Sequence, residues 1–340
     1  MKYKFLILTM VLLVLSLCSA YAGNDLRLGT AGAQELLIPV GSRGTAMGGA
    51  VLSTTYGIEA MYWNPAGLAS LEGTEAAFTH LPYFADIDVN FFGIATAIEG
   101  FGTIGGGAKV VSIGDIEETT EIDPDGTGRI FSPSLTVLNL TYAREFTANV
   151  SFGINAMFIH EDIHEVRASG VAFDVGFIYR PRWYGLSLGL AVKNYGPEMQ
   201  FSGEGFDLIF ENIPVRPVAQ KFDLPSSINI GVGYDFLDDG RNLANLSGNF
   251  RSNNYSADLW QGGAEYVYDG KYALRAGYNY SLNDPDPDDE VDENAWLYGF
   301  SFGGGVTIPL SGVSLTFEYS WNETGDVFDD NQFFTFRANF

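Results

Sequence analysis

The sequence predicts an all-β fold: a transmembrane antiparallel β-barrel of about fourteen strands, with an N-terminal hatch in its lumen. Three observations predict it. The N-terminus looks like an export signal, later segments alternate apolar and polar residues, and the connections between those segments are alternately short and long. These observations divide the chain into a signal peptide (1–22), a hatch or plug segment (23–73) and a barrel (74–340).

The first 22 residues have the layout of a secretory signal peptide. Lys2 and Lys4 precede an apolar run, and Ala20-Tyr21-Ala22 supplies the small residues of a cleavage site. Cleavage after Ala22 removes Cys18, so we expect a mature chain without disulfides or thiol chemistry. A lipoprotein signal at Cys18 is the alternative, but the residue before it is a leucine where a small residue is needed.

Alternating apolar and polar residues mark strands with two different faces. Successive side chains of a strand point to opposite faces, so every second residue of 313–321, all apolar, lies on one surface. Segments of this kind recur from residue 75 to Phe340, and about fourteen can be counted. Single-chain bacterial outer-membrane barrels usually have an even number of strands.

The polar faces of these segments carry charges, which indicates that the apolar faces contact outer-membrane lipid. Asp174, Glu265 and Arg275 are examples. A soluble β-core could not bury so many charges, whereas a barrel lumen can hydrate and pair them. Beyond the signal, no apolar run approaches the ~20 residues of a membrane helix. We expect the lumen charges to pair with one another; a permeation path is the alternative.

Composition supports a barrel and excludes nucleic acid as a partner. Aromatic residues make up 14% of the chain, as expected where aromatic girdles mark both membrane interfaces. Acidic residues outnumber basic ones 42 to 18, and loss of Lys2 and Lys4 with the signal takes the formal charge from -24 to -26. So negative a surface repels nucleic acid.

Short and long connections alternate along the predicted barrel. The short ones, placed in the periplasm, are 98–101, 145–149, 180–185, 237–242, 269–270 and 309–312, and the long ones include 116–130, 195–225, 281–296 and 322–330. This alternation places the C-terminus in the periplasm, where the last strand must pair with the first. Phe334, Phe336 and Phe340 would then form the signal that the barrel-assembly machinery recognises.

The segment before the first strand is rich in small residues and lacks alternation. Its glycines permit close packing and unusual backbone angles, so it could fold back into the lumen as a plug. The residues that define this hatch motif are Gly41, Arg43, Gly44, Gly48, Gly49, Asn64, Pro65, Ala66 and Gly67. We expect Arg43 to pair with carboxylates of the barrel wall.

This segment resembles the N-terminal signature of the PorV/PorQ family, through residues 37–44, 46–50 and 61–68. That family is similar in turn to the FadL-like long-chain fatty-acid transporters, which share the Asn-Pro-Ala-Gly element found here at 64–67. The resemblance implies a fourteen-stranded barrel with an N-terminal hatch in the outer membrane of a Gram-negative bacterium. Residues 53–57 depart from the acidic or small pair that relatives often carry, which leaves the subfamily open.

The resemblance implies a non-enzymatic role without cofactors. Its best-understood members take part in type IX secretion, so it implies a component of protein secretion or surface attachment, with exported cargo proteins or secretion subunits as partners. The relation to fatty-acid transporters implies the alternative, transport of hydrophobic small molecules such as long-chain fatty acids. A purely structural barrel is a third hypothesis.

The predicted outer loop 195–225 is unusually apolar for a connection. Its candidate binding residues are Met199, Phe201, Phe206, Leu208, Ile209 and Phe210. Exposed apolar patches often mark binding surfaces, so this loop is a candidate contact for a partner protein or a docking site for a hydrophobic ligand. The alternative is that the loop folds over the barrel mouth and packs on itself.

Two motifs resemble metal sites, but neither fits one well. Residues 160–164 match the H-E-x-x-H pattern of zinc proteases, which requires a helix. They continue an alternating strand, in which His160 and His164 would lie ~13 Å apart and could not share a zinc ion. Asp284, Asp286 and Asp288 form a weak calcium candidate, and a solvated acidic loop is favoured because the central glycine of an EF-hand is missing.

Overall fold

A computed structural model describes residues 29–340 except 84–86, 121, 182–184, 207, 211–212, 216, 282–298 and 325–328. The predicted signal peptide and the aspartates 284, 286 and 288 lie outside the described residues. Within the described part, fourteen long strands form one closed antiparallel barrel, which confirms the predicted fold class. No described helix is long and apolar enough to cross a membrane.

The barrel strands are numbered along the chain. They are β1 (Thr74–Tyr83), β2 (Ile87–Ile98), β3 (Gly102–Ser112), β4 (Ser134–Thr147), β5 (Val150–Ile163), β6 (Val166–Tyr179), β7 (Leu186–Tyr195), β8 (Ser227–Asp238), β9 (Asn242–Asn253), β10 (Leu259–Tyr268), β11 (Tyr272–Ser281), β12 (Phe300–Leu310), β13 (Val313–Asn322) and β14 (Asn331–Asn339). Each strand pairs with the next in sequence, and β14 pairs with β1 from Glu75↔Asn339 to His80↔Phe334. Closure leaves no sheet edge, so the strand backbones satisfy one another inside a membrane.

The side chains alternate between the two barrel faces as predicted. On β11, the outward Leu274 is 69% exposed, whereas the neighbouring inward Arg275 is 6% exposed. The terminal aromatics Phe334, Phe336 and Phe340 lie on the outward face, with the inward Thr335 fully buried between the first two. The apolar side chains therefore face the position of the lipid.

The two ends of the barrel differ in their connections. Short turns join β2 to β3, β4 to β5, β6 to β7, β8 to β9, β10 to β11 and β12 to β13. Gly73 and Phe340 lie at the same end, which we call the turn end; the opposite end is the loop end. In the turn between β10 and β11, Asp269 and Gly270 both have positive φ, the conformation of tight hairpins.

The wall is irregular between β6 and β7. The pairing register shifts between Phe173 and Val175, and Asp174 at the shift accepts a 2.6 Å hydrogen bond from the backbone N–H of Asn194. Closer to the loop end, the two-residue strand Ser202–Gly203 pairs with β6. Loop residues therefore complete the wall where β7 has ended.

Candidate functional site

The described hatch residues, 29–73, precede β1 and pack inside the barrel. They form short helical elements: 3₁₀ helices at Gln34–Leu37 and Pro65–Ser70, and helices α1 (Ser42–Ala46) and α2 (Ala60–Trp63). Apolar hatch side chains are fully buried, among them Met47, Ile58, Met61 and Leu68. Burying such side chains favours a hatch folded against the wall over a free segment.

Inward-facing glycines of the wall bring the hatch backbone into direct contact with the barrel. We call these residues the glycine belt: Gly153, Gly189, Gly263 and Gly277, on strands β5, β7, β10 and β11. A Cβ atom at Gly277 would overlap the backbone of Gly48, and one at Gly153 would overlap the backbone of Pro65. Any larger residue at these positions would push the hatch away from the wall.

The asparagine of the hatch motif joins two parts of the hatch to the wall. The Nδ2 of Asn64 donates to the carbonyl oxygen of Leu52 at 2.8 Å and to that of Phe177 on β6 at 3.2 Å. Its Oδ1 accepts from the backbone N–H of Ala66 at 3.2 Å and caps the 3₁₀ helix that begins at Pro65. The motif residues 64–66 thus have a clear structural role.

The motif glycines lie where side chains would collide. Gly41, Gly48 and Gly49 have positive φ, which favours glycine. A Cβ atom at Gly44 would overlap the Trp63 ring, and one at Gly67 would approach the backbone of Thr55. All of these glycines serve hatch packing.

Arg43 of α1 joins a buried chain of charges on the wall. Its guanidinium binds both carboxylate oxygens of Glu265, at 2.9 and 2.7 Å. Arg275 bridges Glu265 at 2.7 Å and Glu318 at 2.8 Å, and Arg337 contacts Glu318 at 3.0 Å. These five residues form the arginine–glutamate cluster. Because each charge is buried, its partners are needed to offset the loss of hydration.

A large lumen cavity lies at the loop end and borders the hatch. We call it the loop-end cavity, and its volume is about 730 Å³. Apolar and aromatic residues make most of its surface: Leu37, Ile38, Pro39, Tyr62 and Trp63 of the hatch, and Tyr83, Ile87, Val111, Ile113, Leu135, Tyr255, Leu259 and Phe333 of the wall and loops. Its size and lining match those of small-molecule pockets.

Several polar groups interrupt this apolar lining, among them the buried Glu35 carboxyl, Arg251 and a set of side-chain amides. Arg251 of β9 donates through Nε to Asn229 at 2.8 Å, and no carboxylate in the described part of the chain forms an ion pair with it. Amides from strands β10, β11, β13 and β14 also line the cavity: Gln261, Asn279, Asn322 and Asn331, which we call the amide stripe. The buried Asn322 Oδ1 and both side-chain atoms of Asn331 have no hydrogen-bond partner among the described residues.

A second cavity of about 330 Å³ lies at the turn end. We call it the turn-end cavity. It is lined by Tyr56, Gly57, Ser70, Leu71, Glu72, Glu75, Thr307, Ser314, Thr316, Arg337 and Asn339. The Tyr56 ring lies 4.6 Å from the Arg43 guanidinium and 5.6 Å from that of Arg337, so this cavity borders the arginine–glutamate cluster.

The apolar loop is partly folded into the wall. Met199 is buried against Gly170 of β6, and its backbone exchanges 2.9 Å hydrogen bonds with Phe222. The Phe201 and Phe222 rings are in tilted contact, with centroids 5.5 Å apart, and the half-buried Phe206 ends a short 3₁₀ helix. Leu208, Ile209 and Phe210 form a small strand paired with Ile213–Val215, and their side chains lie outside the described atoms. The described part of this loop packs on the barrel.

The H-E-x-x-H residues do not form a metal site. His160 lies in β5 and its Nδ1 contacts the Ser169 hydroxyl at 2.9 Å, whereas His164 lies in the following turn, 3.4 Å from Glu118. A hydrogen bond from Thr127 lowers the pKa of that Glu118 carboxyl. Among the described residues, no group of three or more His, Cys, Asp or Glu side chains is placed to hold a metal ion.

Sequence reasoning identified the lumen charges but missed the cavity residues. Arg251, Asn322 and Asn331 face the lumen by simple alternation. That pattern cannot show which stretch of lumen the hatch leaves empty, so it could not distinguish these residues from others on the inner face.

Searches with the sequence found no matching family model and no matching curated protein. Solved structures match over most of their length. The CymD monoaromatic hydrocarbon channel is 15% identical, with 89% of this chain and 98% of that chain covered and a TM-score of 0.55. A Pseudomonas aeruginosa FadL homologue is 14% identical, with 89% of this chain and 98% of that chain covered and a TM-score of 0.54. The Pseudomonas putida toluene transporter TodX is 14% identical, with 88% and 97% covered and a TM-score of 0.56.

Identities this low establish a shared fold and leave the ligand open. They agree with the FadL-like relation that the hatch residues imply, while the PorV/PorQ assignment stays a prediction. The chain has the barrel fold of FadL-type outer-membrane channels.

Proposed function

We propose that the protein is a non-enzymatic channel for hydrophobic small molecules in the outer membrane of a Gram-negative bacterium. The loop-end cavity carries this proposal, since it combines a volume of about 730 Å³ with a mainly apolar and aromatic lining. The fold shared with hydrocarbon and toluene channels supports the same class of ligand. As in other outer-membrane barrels, the end with the long loops would face the outside and the end with the short turns would face the periplasm.

Arg251 favours ligands that carry an anionic head group. Its side chain is half-buried in the cavity lining, and because Nε already donates to Asn229, a carboxylate could bind the two terminal guanidinium nitrogens. An apolar chain could then pack on Ile38, Tyr62 and Phe333. Long-chain fatty acids have this chemistry, so they are the ligand class we propose.

A binding measurement on the purified barrel tests this assignment. Trp63 lines the cavity, so quenching of tryptophan fluorescence by an added long-chain fatty acid should be saturable. The change Arg251→Ala should weaken fatty-acid binding roughly ten- to hundredfold, the worth of a charge-assisted hydrogen bond. The corresponding fatty alcohol should bind both proteins alike.

Arg241→Ala is the matched control, because Arg241 lies at the turn end beside Tyr268. It should leave both affinities unchanged. If Arg251→Ala weakened the binding of the fatty acid and of the alcohol equally, Arg251 would not bind the head group. If neither ligand bound saturably to the unchanged protein, the proposed channel function would be contradicted.

The secretion hypothesis remains a separate prediction that rests on the N-terminal signature. It predicts exported cargo proteins or secretion subunits as partners, in addition to lipid and the barrel-assembly machinery. Cross-linking in intact cells tests it: recovery of exported proteins would support secretion, whereas saturable fatty-acid uptake without such proteins would favour the channel.

A further inference from the structure

The inner face of β14 passes from one cavity to the other. Asn331 and Phe333 line the loop-end cavity, Thr335 follows, and then Arg337 and Asn339 line the turn-end cavity. These residues occupy every second position, so all point into the lumen. Only one inward-facing residue of this strand, Thr335, separates the two linings.

The neighbouring strand β13 repeats this order in the opposite direction. Asn322 lines the loop-end cavity, and Ser314 and Thr316 line the turn-end cavity. Ser320 and Glu318 lie between them on the same face. Inward-facing neighbours on one strand are ~7 Å apart, so the two linings are separated by ~14 Å along β14 and ~20 Å along β13.

Helix α1 of the hatch covers the wall at this point. The Ser42 hydroxyl lies 2.8 Å from the Thr335 hydroxyl, and the Thr45 hydroxyl lies 2.6 Å from that of Ser320. The Ser42 backbone N–H also donates to the Thr335 hydroxyl, and the Ser42 hydroxyl lies within hydrogen-bond distance of the carbonyl oxygens of Glu318 and Phe333. Water can replace hydrogen-bond partners of this kind at modest cost. At the glycine belt, by contrast, the hatch backbone itself rests on the wall.

We propose that β13 and β14 line a second, axial route for small polar solutes, and that α1 is its gate. The amide stripe provides polar groups at the loop end, and Thr316 and Asn339 provide them at the turn end. Arg43 holds α1 closed through its paired bonds to Glu265. This route differs from hydrophobic transport in its solutes, and it needs only a local movement of α1.

Conductance of the barrel in planar lipid bilayers with potassium chloride tests the gate. Arg43→Ala should raise the open probability roughly tenfold or more, the factor for one lost charge-assisted hydrogen bond. Arg43→Lys keeps the charge without the two-point geometry and should give a smaller rise. A faster gel migration before boiling than after shows that each variant is folded, and Arg43→Lys carries the test if Arg43→Ala fails to fold.

A disulfide cross-link tests whether the added ion current passes between α1 and β14. In an Arg43→Lys background, the pair Ser42→Cys and Thr335→Cys should form a disulfide that abolishes the added conductance, and a reductant should restore it. The pair Ser53→Cys and Ser187→Cys is the matched control, because those hydroxyls lie 3.2 Å apart between hatch and wall at the glycine belt. Its disulfide should leave the current unchanged.

Two results would overturn the proposal. One is a folded Arg43→Lys or Arg43→Ala protein with the conductance of the unchanged barrel. The other is an added current that survives the 42–335 disulfide, since the solute would then pass elsewhere. Fatty-acid binding in the loop-end cavity is measured separately, so failure of the gate leaves the proposed function standing.

Discussion

The hatch contacts the barrel wall in two different ways. At the glycine belt, missing side chains let backbone rest on backbone, as at Gly277 and Gly48. At α1, hydroxyls and an ion pair make the contact: Ser42 meets Thr335 on β14, and Arg43 binds Glu265 on β10. The first contact depends on shape, while the second depends on groups that solvent can also satisfy. The same plug can therefore be fixed on one side and movable on the other.

The largest effect should come from breaking the charged contact at its centre. Glu265→Ala leaves Arg43 and Arg275 buried without their shared partner. Loss of one partner of a buried ion pair costs about 3–5 kcal/mol. We expect the free energy of unfolding in urea, measured in detergent, to fall by that amount. Glu72→Ala, at an exposed hatch position, should change it little, and equal effects of the two would show that the cluster contributes no specific stability.

A smaller effect should come from filling the glycine belt. Gly277→Ala places a methyl group against the Gly48 backbone, which has no flexible side chain to move aside. Overpacking costs about 1–3 kcal/mol. Thermal unfolding of the barrel should therefore begin at a lower temperature. Gly262→Ala is the matched control on β10, where a Cβ atom would meet nothing within 4 Å. If Gly277→Ala left the unfolding temperature unchanged, the hatch would be able to shift at the glycine belt as well.

The barrel was predictable from sequence because its signal is local. Alternation assigns each strand residue a face with no knowledge of its neighbours, and it placed Leu274 outside and Arg275 inside correctly. The pairing of Arg43 with a wall carboxylate followed from the cost of burying a lone cation.

The cavities and the two kinds of contact depend on the path of the hatch. The glycines at 153 and 277 look like ordinary strand residues, and only the hatch backbone beside them gives them a role. The order of the cavity-lining residues along β14 can likewise be interpreted only once α1 is known to lie over Thr335. These contacts join residues far apart in the chain, up to 293 positions for Ser42 and Thr335, which no local pattern records.

The smallest effect, and the sharpest comparison, concerns the hydroxyl contact at Thr335. Its Oγ1 accepts a 3.0 Å hydrogen bond from the backbone N–H of Ser42 and lies 3.0 Å from the Thr79 hydroxyl. Thr335→Val keeps the shape of the side chain and removes these hydrogen bonds, so the free energy of unfolding should fall by about 1 kcal/mol. If α1 moves, water can reach the freed groups of Ser42, and hydrogen exchange should quicken at residues 42–46 while residues 64–66 keep their protection. Faster exchange in both segments would mean that the hatch opens as one body, and the contrast between its two sides would then be lost.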